Sequence, residues 1–167
     1  MRDLATSFSD AVDRLEEKRN ARGSAIAAEL TRLLDSMDAH VLEARRLFNV
    51  ESDARDDSLR QGLSPFLDGV GEEVGEQVIR GVTEKYRAHT DVGVVLAHLE
   101  DSAKTWRDLL AGQPTASVAF SLAALSPDIA REASTLSAKS RIPEISSLSV
   151  ELRAIAKRLG TAAGNLE

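Results

Sequence analysis

Apolar side chains recur at Leu4, Phe8, Val12 and Leu15, then at Ile26, Leu30, Leu33, Met37, Val41, Ala44 and Phe48. Steps of three and four residues gather these positions on one side of an α-helix, whereas a strand would require alternation. The pattern predicts a long amino-terminal helix over residues 1–50. It is interrupted once, by Lys18, Arg19, Asn20, Ala21, Arg22, Gly23 and Ser24. Two structures fit the interruption. A single helix of about 65–70 Å can run through it, at about 1.5 Å per residue. Alternatively Gly23 ends one helix and Ser24 caps the next. The continuous helix is favoured, because neither proline nor a second glycine stands beside Gly23.

The following stretch, residues 51–63, holds Glu51, Asp53, Asp56 and Asp57 and reads as an acidic linker or an exposed turn of helix. Ser64–Pro65 then resembles a helix start, since serine caps and proline suits the first helical position. From there to residue 167 the pattern predicts a bundle of shorter helices, either separate from residues 1–50 or continuous with them. One carries Leu67, Val70, Val74, Val78, Val82 and Tyr86 at helical spacing, weakened by five glycines. Gly71 and Gly75 lie four apart on one face, where a neighbouring backbone can come close, so they mark an expected tight helix crossing. Thr90–Asp91 is the expected cap of a helix carrying Leu96, Leu99, Ala103, Trp106 and Leu110, stopped by Gly112 and Pro114; a short strand at Val92–Leu96 is the alternative. Helices at 116–125, at 127–139 behind Ser126–Pro127, and at 144–159 closed by Gly160 complete an all-α helical bundle.

Composition supports this class and excludes several functions. Alanine and leucine dominate the apolar residues, and both keep most of their side-chain freedom in a helix. With no cysteine among 167 residues, disulfides, thiolate chemistry and cysteine-type zinc sites are ruled out. The net charge of −6 argues against general nucleic-acid binding, which needs a basic face. Sixteen acids oppose ten bases up to Gly75, and eleven of each follow. The apolar runs Val92–Ala97 and Val118–Leu125 are far shorter than the roughly 20 residues of a membrane span. No signal-peptide pattern opens the chain, so a cytoplasmic location is expected.

Few residues suggest chemistry. Gly69, Gly71 and Gly75 mimic a dinucleotide fingerprint, but with three residues instead of two before the last glycine, no preceding strand, and Glu72 and Glu73 set to repel a pyrophosphate. His40, His89 and His98 show no pair at the spacing of two ligands on one helix face. His98 can share a face with Asp101, which begins a general base, yet no nucleophile accompanies it. Glu72 and Glu76 share a face without the Glu-x-x-His motifs of a di-metal bundle, and Glu76 has Arg80 four residues on as a surface pair. No catalytic, cofactor or metal residue is assigned.

The functional expectation is a non-enzymatic interaction protein: an adaptor, scaffold or assembly subunit that binds itself or another protein through its amino-terminal helix. Its candidate contact residues are the apolar Phe8, Val12, Leu15, Ile26, Leu30, Leu33, Met37 and Val41, with Arg14, Lys18 and Arg22 as a basic patch. That patch would suit an acidic partner, an anion, or the acidic 51–57 segment of a second copy. The alternatives are a small-molecule pocket near Gly71, Gly75 and Trp106, and a small acid–base enzyme built on His98 and neighbouring carboxylates.

Overall fold

A computed structural model of the chain describes residues 2–90, 92–112 and 116–166, and it is all-α, with no strand among them. Asp91 and Pro114, expected as a helix cap and a helix stop, lie outside the described residues, as do the side chains of Leu4 and His89. Five helices follow one another: α1 (Arg2–Leu67), α2 (Glu72–Thr90), α3 (Gly93–Leu110), α4 (Ala116–Lys139) and α5 (Pro143–Ala163).

Helix α1 has 66 residues, which at about 1.5 Å each makes roughly 100 Å. It passes through Gly23 unbroken, as favoured, and then also through the acidic stretch, so residues 51–63 are helix and not a linker. Ser64–Pro65 does not open a helix either: Pro65 lies in the last turns of α1. The chain reverses only at 68–71, where Gly69 adopts φ +89° and the Val70 amide donates to the Leu67 carbonyl at 2.9 Å. Positive φ is nearly free of strain only for glycine, and it ends a helix by offering the last carbonyls a donor.

The Val92–Leu96 segment is helical, not strand; the Leu96 amide closes the first turn on the Val92 carbonyl at 2.9 Å. Ser126–Pro127 was expected to separate two helices, but α4 runs through both residues. Proline has no N–H for the carbonyl four residues back, which is Ala123. The Ser126 hydroxyl donates to that carbonyl at 3.1 Å instead, so the missing bond is replaced and the helix continues. Gly160 likewise does not close α5, which extends to Ala163.

The core joins α1 to the last three helices. Leu30, Leu33, Leu34, Met37, Val41 and Ala44 of α1 pack with Leu96, Leu99 and Trp106 of α3, Leu122, Ile129 and Leu136 of α4, and Ile145, Leu152 and Leu159 of α5. α1 contacts α3 and α5, α4 contacts the same two, and α4 with α5 is the most extensive pair. The result is an up-down-up-down four-helix arrangement, the expected outcome of short connections between amphipathic helices. Polar straps align α1 on its neighbours. Arg45 bonds Glu100 at 2.8 Å, and Arg107 reaches both Asp38 at 2.7 Å and Asp35 at 3.0 Å. On the α5 side Arg158 meets Glu29 at 3.1 Å, and His40 meets Glu151. The hydrogen bonds from Arg107 to Asp38, and then to Asp35, raise its pKa further above the ordinary guanidinium range.

Beyond the bundle, residues 52–67 of α1 and α2 form an antiparallel hairpin at one end, and residues 2–22 of α1 extend from the other.

Candidate functional site: an uncovered amino-terminal arm

Helical periodicity places Phe8, Val12 and Leu15 on the same side of α1 as the core residues Leu30, Leu33, Met37 and Val41. The two groups have different fates. Leu30, Leu33, Met37 and Val41, expected as contact residues, are buried in the chain's own bundle, with Ile26 half-buried at its edge. They have no surface to offer a partner. Phe8 and Leu15 are 73% and 68% exposed, and Val12 38%. Every residue from Thr6 to Arg22 is exposed. The apolar stripe therefore runs past the end of the bundle that covers it, for a distance of about 25–30 Å at the helical rise.

Where the arm leaves the bundle it forms one wall of an open groove of about 660 Å³. That wall holds Glu16, Arg19, Asn20, Gly23, Ser24 and Ala27, and the bundle supplies Leu109, Leu110, Gly112, Val118 and Leu166. A side chain placed here would lie against leucine and valine on one side, while Gly23 leaves open space on the other, with nothing within 4 Å of its would-be Cβ.

Arg14, Lys18 and Arg22 are exposed along the arm. The acidic 51–57 segment, considered as their counterpart in a second copy, is partly engaged at home. Glu51 pairs with Arg55, and Asp56 with Arg87 across the hairpin. Arg55 also donates to the Tyr86 hydroxyl and lies 5.3 Å from the ring centre. Of that segment's four carboxylates, Asp56 thus ties α2 to α1 directly, and Glu51 braces the Arg55 that reaches Tyr86.

Gly71 and Gly75 do not form the expected tight crossing. A Cβ on Gly71 would meet nothing within 4 Å, and one on Gly75 would only touch Leu67 at 3.9 Å, an ordinary contact. Both sit near the tip of the hairpin, where the cavity beside Gly75 is lined by Arg60, Leu67, Val70 and Ile79, not by Trp106. Trp106 is wholly buried in the bundle core, so the pocket expected between these residues is not assembled. The close glycine contact lies elsewhere: a Cβ on Gly160 would come within 3.1 Å of Ser126 Cβ and nearer still to its hydroxyl. No spacing rule singled out Gly160, because its neighbour belongs to another helix.

His98 is exposed, and its Nδ1 stands 3.6 Å from Glu132 of α4 rather than beside Asp101. That is ion-pair distance, too long for an orienting hydrogen bond. Glu76 pairs with Arg60 across the hairpin at 3.2 Å, not with Arg80. Among the described residues no three His, Asp or Glu side chains converge as metal ligands do, and no helix is long and apolar enough to cross a membrane. A second exposed apolar row, Val70, Val74, Val78 and Val82 with Phe66, runs along the hairpin; nothing in the structure shows what covers it. The chain matches no protein-family model and none of the curated proteins with which it was compared.

Proposed function

We propose that this is a non-enzymatic helical interaction protein, an adaptor, scaffold or assembly subunit, whose four-helix bundle holds out residues 2–22 of α1 as a docking arm for a second copy or another protein. One observation carries the reading: the stripe that forms the core at 30–44 continues to Phe8, Val12 and Leu15 with nothing of its own chain over it. Large apolar side chains in a row on an exposed helix are costly unless a partner buries them, and contiguous exposed patches of this kind mark interaction sites. A helix segment whose apolar side chains stay exposed is also marginal in water, so the arm gains order from whatever it binds.

Amide exchange tests this directly. In dilute monomeric protein, residues 6–22 should exchange nearly as fast as an unfolded chain, while 30–44 exchange only through opening of the bundle. Substituting Phe8→Asp and Leu15→Asp should leave the bundle's melting temperature unchanged. Slow exchange of 6–22 in the monomer, or a fall in melting temperature on substitution, would mean that the arm serves its own fold, and the proposal would be abandoned.

A further inference from the structure

At the end of the bundle away from the arm, residues 48–56 of α1, Tyr86 and Arg87 of α2, and the 139–142 connection between α4 and α5 surround an open cavity. Four cations line it, Arg55, Arg87, Lys139 and Arg141, against two carboxylates, Glu51 and Asp56. Glu51 is matched by Arg55 and Asp56 by Arg87. The excess of two positive charges therefore comes from the connection, which brings Lys139 and Arg141 and no acid to the wall. In a chain whose net charge is −6, this concavity has the opposite sign, and a cleft lined by one sign of charge concentrates the opposite ion. We propose that the cavity binds a small tetrahedral oxyanion, phosphate in its doubly charged form, and that the bound ion ties the hairpin to the bundle.

Donors stand on all three walls. The ion pairs leave Arg55 and Arg87 with N–H groups to spare, since a guanidinium carries five. Ser52 lines the α1 wall and is half-buried. Ser140 Oγ accepts the Ile142 amide at 3.1 Å, which leaves its own proton to donate. Donors approaching from three elements suit four oxygens set as a tetrahedron better than the two of a planar carboxylate, and guanidinium groups pair with phosphate through parallel N–H bonds. Size narrows the choice further. The room for the centre of a water-sized molecule is about 30 Å³, roughly two to three times what one water needs. A phosphate fits, and a nucleotide or a peptide does not. Helix α2 otherwise packs chiefly on α1, so an ion shared between Arg87 and Arg141 adds a link from α2 to the bundle.

Inorganic phosphate is the probe, with sodium chloride of equal ionic strength as the reference, because salt alone loosens the hairpin's exposed ion pairs. Titration calorimetry of the full chain at about pH 8, where phosphate is a dianion, should give one site per chain with a Kd of about a millimolar or tighter. With phosphate at about twenty times Kd, amide exchange at 84–88 and 140–146 should slow by about twentyfold, because each opening must release the ion. Arg141 is exposed and makes no ion pair among the described residues, so Arg141→Gln should keep the melting temperature of the ion-free protein. It should weaken phosphate binding about tenfold, as loss of a charge-assisted hydrogen bond does. Glycerol phosphate should bind more weakly, since the cavity holds the phosphate but not the group attached to it. No binding at tens of millimolar, or equal binding by the Arg141→Gln chain, would overturn the site. Protection of 140–146 without 84–88 would overturn the link to the hairpin, and tighter binding of glycerol phosphate would overturn the free ion as occupant.

Discussion

Gly160 and Gly62 occupy interior positions of helices, yet their surroundings give the same substitution opposite signs. At Gly62 an added Cβ meets nothing within 4 Å, so Gly62→Ala removes backbone freedom from the unfolded chain without a clash. It should stabilise the hairpin by about 0.5–1 kcal/mol, read as slower amide exchange near residue 62. At Gly160 the added Cβ runs into Ser126 of α4. Overpacking of this kind costs about 1–3 kcal/mol, so Gly160→Ala should lower the urea midpoint of the bundle, and should lower it less in a Ser126→Gly chain than in the natural one. Equal effects at the two sites would show that α4 and α5 are not in close contact there.

Within α4, Ser126 and Pro127 act as one unit. Because proline cannot supply an N–H to Ala123, the neighbouring hydroxyl does so. Ser126→Ala should therefore cost about 1 kcal/mol in the natural chain, the usual net worth of one hydrogen bond. In a Pro127→Ala chain the backbone N–H is restored and the same Ser126→Ala change should be close to neutral. A double-mutant cycle by chemical denaturation measures the difference; additive effects would mean that the hydroxyl is not the substitute donor. Elsewhere in the helices the reading from sequence was incomplete for the same reason. Pro65 and Pro127 look like helix boundaries one residue at a time, but a helix end is decided by whether the orphaned carbonyl finds another donor and whether the neighbours hold the next turn.

At the scale of the molecule, the bundle and the hairpin are held by different forces. The bundle is closed around leucine, isoleucine, methionine and one buried tryptophan. The hairpin has few buried side chains, Ile79 among them, and relies on Arg55 with Glu51 and Tyr86, Arg60 with Glu76, and Arg87 with Asp56. Exposed ion pairs are each worth little and are screened by salt, whereas apolar burial is not. Molar salt should therefore speed amide exchange across 72–88 while the fluorescence of Trp106, the single tryptophan, stays that of a buried indole. Loss of both signals together would show that the hairpin and bundle unfold as one unit.

The helical class, the long α1 and its passage through Gly23 were legible in the sequence, because a period of three to four and the scarcity of breakers are local properties. So was the apolar stripe. Which part of the stripe becomes core was not legible: Phe8 and Leu33 occupy equivalent places on the helix face, and only the length and position of α3, α4 and α5 leave one in water and enclose the other. The pairing of Arg60 with Glu76 across the hairpin, the contact of Gly160 with Ser126, and the groove between Gly23 and Leu109 are likewise products of tertiary structure. Sequence spacing determines what lies along one helix, while contacts between helices depend on where the chain turns back.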